Sequence, residues 1–411
     1  MSYPYKICDP VHGFIRYDEI IQRVIDSRPF QRLRYIHQVG TVYLVYPGAT
    51  HSRFEHSLGV MELVTRIYNT LIDPYNFLES CCVPKEKIDY WRLILRLAAL
   101  CHDLGHLPFS HTAEKALLPH GGHEQMTIKL IQSEELSAIW REIGEEAQND
   151  IIKLSVNERE LKKFKKEFTL SPWERVLSQI ITEDNFGADR IDYLLRDAHH
   201  AGVEMGRFDY HQLVDSLRIL PYDGKLALGI TQSGIQSVES LWTTRYMMYA
   251  RVYQHPKSRV YSNHMNRFMC RLYSDGIPDD VEIYLEQTDL TVLSALFSEA
   301  KKGDYDAQGL LKIKKTFQNV PLNQKPNDSI LSELQNHFNK WIFIDDTPQK
   351  TPQRQFPVLL ESKKVISSFD VSSFLQGIPR EGQSLCLYAH PDYVERVKEW
   401  LSRKAGPESV E

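Results

Sequence analysis

Apolar residues recur at three- and four-residue steps through the first two-thirds of the chain. One such series is Leu58, Met61, Val64, Ile67 and Leu71, and another is Ile88, Trp91, Leu95 and Ala98. This spacing predicts amphipathic helices that pack on a common core. Further helical patterns cover 18–27, 107–118, 172–183, 188–200 and 210–218, with a long one over 233–274.

Two regions depart from the helical pattern. An Asp-Gly pair stands between apolar runs in RILPYDGKLALGI at 218–230, which predicts a β-hairpin. After residue 276 turn-forming residues become frequent, and 320–357 predicts loops. Strand-like 384–390 and helix-like 391–404 close the chain. We therefore expect a mostly α core over 1–275 with a small β-hairpin insertion, and a C-terminal α+β subdomain with a loop-rich segment over 276–411.

Composition narrows the functional class. The 411 residues include 49 basic and 54 acidic side chains, a formal net charge of −5, so no strong binding to nucleic acid is expected. No apolar run approaches the roughly 20 residues that span a bilayer, which predicts a cytoplasmic protein without a membrane segment. The six cysteines are scattered, which is typical of reduced thiols.

Histidine is concentrated in one stretch, at His51, His56, His102, His106, His111, His120 and His123. In CHDLGH, His102 and Asp103 stand just before Gly105, which would end a largely buried helix. Adjacent helical residues diverge by about 100°, so these two side chains share an ion only if it lies beside that helix. Other helices must then supply further ligands.

His56 and Asp189 each lie on a helical pattern that could supply such a ligand. Two imidazoles and two carboxylates suit Mn, Fe, Zn, Co or Ni, whereas Mg prefers oxygen ligands alone. The alternative is that Asp103 pairs with a nearby arginine and the histidines make ordinary polar contacts.

Extended motifs resemble one known family. HSRFEHSLGV, CHDLGHLPFSHT, GGHEQ and ADRIDYLLRDAHHAG occur in the order found in HD-domain deoxynucleoside triphosphate (dNTP) triphosphohydrolases. The likeness covers about residues 5–275, from DPVHG at 9–13 to RVYQHPK at 251–257. It implies an HD-domain helical core with His56, His102, Asp103 and Asp189 as metal ligands. It also implies hydrolysis of a dNTP to nucleoside and intact triphosphate.

The resemblance also implies a catalytic group. His123 matches the catalytic histidine, and Glu114 matches an acidic residue, commonly aspartate, that orients it. His106, His111, Arg53, Arg190 and Arg245 match positions that face the phosphates, to which additional Mg could bind. The alternatives are helix-surface ion pairs for Arg53 and Arg190 and a solvated side chain for Arg245.

Sugar recognition is implied as well. Gln38, Val39, Tyr193 and Asp197 match positions around the deoxyribose, and Tyr253 matches the aromatic residue that packs where a 2′-hydroxyl would project. The alternative for the two tyrosines is core packing, because both lie at helical spacing among apolar residues.

Regulation is implied only in part. Asp26, Gln31 and Arg34 match residues that read an activating guanine nucleotide, although a local ion pair of Asp26 with Arg34 is an equal alternative. The tail at 339–348 is acidic where such an activator needs cations. We therefore expect a homo-oligomer, a dimer or tetramer, that depends little on GTP.

Two other functional classes stay open. One is an HD phosphohydrolase for another substrate, such as a monophosphate, an alarmone or a cyclic nucleotide. The other is a catalytically silent nucleotide sensor, although such a protein is expected to lose a ligand or the catalytic histidine. A nuclease fits least, since the chain is acidic and has no basic-aromatic stripe.

Overall fold

The computed structural model describes residues 3–73, 85–118, 122–164, 168–322, 325–346, 355–378 and 385–405. It is mostly α-helical, as predicted. The first half contains strands β1 Tyr5–Asp9 and β2 Gly13–Tyr17 and helices α1 Glu19–Asp26, α2 Arg28–Arg32, α3 Arg53–Ile72, α4 Ile88–Cys101, α5 Glu114–Leu117, α6 Glu124–Ile131, α7 Glu134–Ile143, α8 Ala147–Ser155, α9 Glu158–Phe164, α10 Pro172–Thr182 and α11 Ala188–Ala201.

The second half alternates helices with short strands. Its helices are α12 Tyr210–Ser216, α13 Ile235–Met248, α14 Pro256–Leu272, α15 Val281–Leu285, α16 Asp289–Lys301, α17 Tyr305–Leu310, α18 Asp328–Phe338, α19 Ser368–Val371, α20 Ser373–Gly377 and α21 Val394–Ala405. Its strands are β3 Leu217–Tyr222, β4 Lys225–Thr231, β5 Gln318–Val320, β6 Ile342–Asp345, β7 Pro357–Leu359, β8 Val365–Ser367 and β9 Cys386–Ala389.

The main core lies around α3, which packs against both α4 and α11. The predicted apolar series on α3 is buried, and every residue of α4 from Ile94 to Cys101 is buried. Such all-round burial explains why α4 is apolar on more than one face. The same packing brings the start of α3, the end of α4 and the start of α11 together.

Local sequence signals set several helix ends. Ser171 and Glu174 form a reciprocal capping box at the start of α10, where Pro172 occupies the first helical position. Helix α11 ends at Gly202, whose φ of 68° lies in the left-handed region that glycine adopts without penalty. The predicted bounds of both helices are confirmed to within two residues.

The predicted hairpin is confirmed and belongs to a larger sheet. Asp223 and Gly224 have φ of 50° and 71°, as a tight two-residue turn requires, and Tyr222 pairs with Lys225. The strand order is β3-β4-β7-β8, with β7 parallel to β4. Phe356 and Val358 are buried in the main core, so residues from beyond 276 complete this layer.

The long helical pattern over 233–274 is divided in the structure. Helix α13 passes into a π-helical turn at Tyr249–Tyr253, and α14 starts only at Pro256. His255 adopts an extended ψ of 128°, because a residue before proline avoids the helical conformation. The break places Tyr253 at an irregular turn instead of mid-helix.

The prediction of a helix over 107–118 is wrong for most of its length. Phe109 and Ser110 have φ of 55° and 58°, which interrupts any helix, and α5 covers only the last part. Phe109 is buried, and its backbone N–H donates to Asp289 Oδ1 at 2.6 Å. Burial and this bond offset the backbone strain and fix the loop that carries His106 and His111.

The tail contains more regular structure than predicted. Strand β9 and helix α21 confirm the predicted elements near the end, but α18 and β6 lie where loops are predicted. Helix α18 buries only Leu334 and Phe338, which explains its weak apolar pattern. Residues 347–354 of that segment lie outside the described residues. No helix in the described ranges has the length and apolarity needed to cross a membrane.

Candidate active site

The four predicted metal ligands lie together where α3, α4 and α11 meet. His56 Nε2 is 3.1 Å from Asp189 Oδ1 and 3.6 Å from Asp103 Oδ2. His102 Nε2 is 3.4 Å from Asp103 Oδ1 and 3.8 Å from Asp189 Oδ1. Ligand atoms that lie about 2.1 Å from one ion are separated from each other by roughly 3.0–3.4 Å when the ligand–metal–ligand angle lies between a right angle and the tetrahedral angle. The observed spacing is close to this range.

Both imidazoles are oriented so that Nδ1 bonds a neighbouring oxygen and Nε2 faces the carboxylates. His102 Nδ1–H donates to the Ala99 carbonyl at 2.7 Å, which leaves the lone pair on Nε2, a buried atom without a hydrogen-bond partner. His56 Nδ1–H donates to Asp192 at 2.8 Å, and its Nε2 lies within hydrogen-bond distance of Asp189 Oδ1, at 3.1 Å. An unpartnered buried nitrogen beside two carboxylates fits a transition-metal ion.

The electrostatics of this cluster favour a cation. Burial lowers the pKa of His56, but hydrogen bonds to Asp189 and Asp192 and the charge of Asp103 outweigh burial and raise that pKa to about 10. The carboxylates thus carry enough negative charge to hold a proton on a fully buried ring. A metal ion would balance the same charge.

Asp103 also pairs with an arginine, as the alternative interpretation predicts. Arg53 Nη1 donates to Asp103 Oδ2, and its Nε donates to Ser110 Oγ at 2.8 Å. Arg53 is 3% exposed, so a surface ion pair is the wrong description. Because Asp103 Oδ1 faces His102, the ion pair and a metal ligand role are compatible.

Glu114 connects two of the candidate catalytic histidines. Its Oε1 accepts hydrogen bonds from His123 Nδ1 at 2.6 Å and from the His123 backbone N–H at 2.9 Å. Its other oxygen accepts from His111 Nδ1. Burial lowers the pKa of His123, but the hydrogen bond and charge of Glu114 outweigh burial and raise it. The arrangement can hold a proton on His123.

His106 links this group to the candidate metal ligands. Its ring stacks on that of His123 with centroids 3.6 Å apart, and its Nε2 lies 3.1 Å from Asp103 Oδ1. Burial and the charges of Arg53 and His123 hold its pKa well below the ordinary value. Two stacked histidines with opposite shifts are typical of an acid-base site.

The other predicted phosphate-binding arginines meet at the turn before α11. Arg190 donates to the Glu183 carbonyl at 2.8 Å and pairs with Asp184, whose carbonyl also accepts from Arg245 at 3.1 Å. Arg245 is 5% exposed, so a solvated side chain is wrong, and its buried Nε has no hydrogen-bond partner. That both face phosphates stays a prediction.

The predicted sugar residues include a hydrogen-bonded chain. Tyr253 donates from its hydroxyl to Asp197 Oδ2 at 2.5 Å, and Asp197 Oδ1 accepts from His51 Nε2 at 2.7 Å. The Tyr193 and Tyr253 rings lie edge to face at 6.4 Å and pack against the main core. Buried Gln38 Oε1 has no partner, and Val39 precedes a 3-10 turn. His51 carried no predicted role beyond its place among the histidines.

The predicted activator residues lie on an exposed part of the surface. Asp26 accepts from Gln22 at 2.8 Å, while Arg34 donates to Gln31 at 2.8 Å and stacks 3.5 Å from the Phe54 ring centroid. Neither contact is an ion pair between Asp26 and Arg34, so that alternative is wrong in the described structure. Asp345 of the acidic tail pairs with Arg259 at 2.5 Å.

The residue that holds His56 carries no prediction from the sequence. Asp192 is completely buried and accepts from His56, His12 and Arg196. A signal was present, because Asp192 follows Asp189 by three residues on one helical face. His12 lies in the DPVHG motif, which had no assigned role. His120 lies outside the described residues.

Comparison with known proteins identifies the family. A model of the HD domain matches residues 53–197, and one of the HD associated region matches 208–312. An uncharacterized protein of Methanocaldococcus jannaschii is 30% identical over 96% of this chain and 81% of its own. A hypothetical protein from Aquifex aeolicus, solved by crystallography, is 31% identical with a TM-score of 0.79, covering 97% of this chain and 99% of that one.

The deoxynucleoside triphosphate triphosphohydrolase SAMHD1 of Homo sapiens is also similar. It is 30% identical over 74% of this chain and 53% of its own, so the chain spans about half the length of that relative. With its histidine-carboxylate cluster and these matches, the chain belongs to the HD-domain phosphohydrolase family.

Proposed function

We propose that this protein is a metal-dependent dNTP triphosphohydrolase that yields a deoxynucleoside and inorganic triphosphate. The observation that carries the proposal is the stacked His106–His123 pair, in which His123 is bonded by Glu114 and His106 lies 3.1 Å from the candidate ligand Asp103. The activity named for SAMHD1 supports the substrate class. A silent sensor would have no need for a histidine held by a carboxylate beside the candidate metal ligands.

The residues divide the chemistry between them. A transition metal held by His56, His102, Asp103 and Asp189 would supply Lewis-acid polarisation of a phosphate oxygen. Arg53, fixed by Asp103 and Ser110, keeps a cation next to the same position.

His123 supplies the proton. Glu114 accepts from Nδ1–H, so the transferable proton of the imidazolium is on Nε2. In the proposed reaction water attacks the α-phosphorus, the bond from phosphorus to the 5′-oxygen breaks, and that oxygen takes the His123 proton. The water loses a proton to solvent, and triphosphate leaves intact.

The sugar end follows from the Tyr253–Asp197–His51 chain. Asp197 is held by hydrogen bonds at both oxygens, so its position is fixed before any ligand arrives. We infer that Tyr253 limits the space beside C2′ and disfavours a ribonucleotide. Gln38, whose buried oxygen is unpartnered, has an acceptor available for the 3′-hydroxyl.

The decisive experiment identifies products. Metal-loaded protein is incubated with the four dNTPs, a ribonucleotide and a cyclic dinucleotide, and phosphorus NMR distinguishes triphosphate from phosphate or diphosphate. We expect triphosphate from dNTPs. Cleavage of the cyclic dinucleotide alone would favour the other HD phosphohydrolases, and no cleavage of any compound would favour the sensor.

A variant pair tests the catalytic histidine. His123→Ala is expected to fold and bind metal but lose roughly 10²–10⁴-fold in turnover, because a proton donor acts only in the transition state. The control is His211→Ala, which removes an exposed histidine on α12. Near-normal turnover in His123→Ala would contradict the assigned role.

A further inference from the structure

A buried hydrogen-bond cluster lies behind the candidate metal centre. Asp192 Oδ1 accepts from His12 Nε2 at 2.6 Å and from Arg196 Nη2 at 3.0 Å. Its Oδ2 accepts from His56 Nδ1 at 2.8 Å and from Arg196 Nε at 2.9 Å. Both carboxylate oxygens are thus fully used, and neither can rotate toward another partner.

The N-terminal hairpin closes this cluster. Arg196 Nη1 donates to Asp9 Oδ2 at 2.7 Å, and Asp9 Oδ1 accepts from the backbone N–H groups of Val11 and His12. The turn between β1 and β2 therefore fixes His12, which in turn bonds Asp192. Three carboxylates face the Arg196 guanidinium, since Glu55 Oε2 also lies 3.7 Å from Nη1.

The close packing of α3 against α11 leaves the Asp192 side chain no room to change orientation. Gly59 lies three residues after His56 on α3, and a Cβ there would come within 1.9 Å of Asp192 Oδ1 and 2.3 Å of Arg196 Nη2. Helices α3 and α11 cross so closely that the Asp192–Arg196 pair fills the space above a glycine. The orientation of Asp192 is consequently set by the packing of both helices.

We propose that Asp192, supported by His12 and Arg196, is a positioning residue that holds His56 in the tautomer and orientation needed to bind the metal. The inference rests on the metal centre of the proposed function. By accepting a hydrogen bond from Nδ1–H, Asp192 leaves the lone pair on His56 Nε2, which faces Asp103 and Asp189. Such partners of metal ligands raise ligand basicity and fix ring orientation.

The chain contains a matched control cluster. Asp306 accepts from His264 Nδ1 at 2.7 Å and from Arg271 at 2.8 Å, and His264 and Asp306 are both buried. The other nitrogen of His264 accepts from the Phe317 backbone N–H at 3.4 Å instead of facing carboxylates. This His-Asp-Arg cluster has the same chemistry but contacts none of the four candidate ligands.

The experiment compares Asp192→Asn with Asp306→Asn in the full chain. Asparagine has one acceptor oxygen, so its amide group must face an N–H donor of His56, His12 or Arg196. Binding of Co²⁺ alone is followed by its visible absorption and by competition with a chelator. We expect a loss of about 10- to 100-fold in affinity and an altered spectrum for Asp192→Asn. Asp306→Asn should bind Co²⁺ as tightly as the wild type does. It should nevertheless unfold at a lower urea concentration, because it disrupts a buried hydrogen-bond cluster.

A second pair covers the case in which Asp192→Asn does not fold. His12→Met removes one donor to Asp192 and should weaken Co²⁺ binding, while His12→Gln restores a donor near the former Nε2 and should recover part of it. Full Co²⁺ affinity in folded Asp192→Asn or in His12→Met would overturn the inference, as would an equal loss in Asp306→Asn. If His102→Ala instead binds Co²⁺ as tightly as the wild type does, the proposed metal centre itself is overturned.

Discussion

Replacing Glu114 by glutamine should move the alkaline limit of activity to lower pH. His123 must be protonated to act as the acid, so the rate is full below its pKa and is lost as pH rises through it. The Glu114 carboxylate raises that pKa by accepting from Nδ1 at 2.6 Å. Glutamine keeps an oxygen acceptor of the same size but removes the charge, so the pKa falls.

The size of the shift follows from the contact. Hydrogen bonds to charged groups contribute about 1.5–3 kcal/mol, and one pKa unit corresponds to about 1.4 kcal/mol. Both side chains are 15% exposed, so solvent screens the interaction little. We therefore expect the alkaline limb of kcat to move down by about one to two pH units.

The assay is a pH–rate profile of wild type, Glu114→Gln and Glu124→Gln, paired with NMR titration of carbon-13-labelled histidine in the absence of substrate. Glu124 is the control, because its carboxylate lies 3.9 Å from His123 Nδ1 and is more exposed. Its removal should shift the limb less. An alkaline limb that stays in place or moves upward in Glu114→Gln would refute the role of this carboxylate.

Three further predictions concern metal, sugar and assembly. His102→Ala and Asp189→Ala should purify with little transition metal by elemental analysis, since each removes a ligand; undiminished metal in both would refute the assignment. Tyr253→Ala should reduce discrimination against ribonucleotides by about tenfold in kcat/KM, while Tyr253→Phe keeps the ring and should not; strict exclusion by the alanine variant would refute the steric role. Light scattering should find a homo-oligomer whose size and dNTP turnover depend little on GTP; a monomer that assembles and becomes active only with GTP would contradict this.

The sequence alone determined the helical class, the hairpin and the residue types of the candidate metal centre. Those features have local signals: three- and four-residue apolar spacing on α3 and α4, an Asp-Gly turn at 223–224, and the HD pair after a buried helix. Apolar periodicity did not predict the backbone conformation where a continuous helix and an interrupted one share the same apolar pattern. The 233–274 pattern continues across the helix break before Pro256. The 107–118 pattern gives no sign of the left-handed backbone at Phe109 and Ser110.

Only the tertiary structure decided which side chains meet. Asp192 and His12 are 180 residues apart along the chain, yet together they fix His56, and no local pattern encodes such a contact. Likewise burial and the charge of Arg53 lower the pKa of His106 while Glu114 raises that of His123, because burial and neighbouring charge depend on the packed environment. Residue type limits the possible chemistry, whereas distance and desolvation, which arise only on folding, select the role of each group.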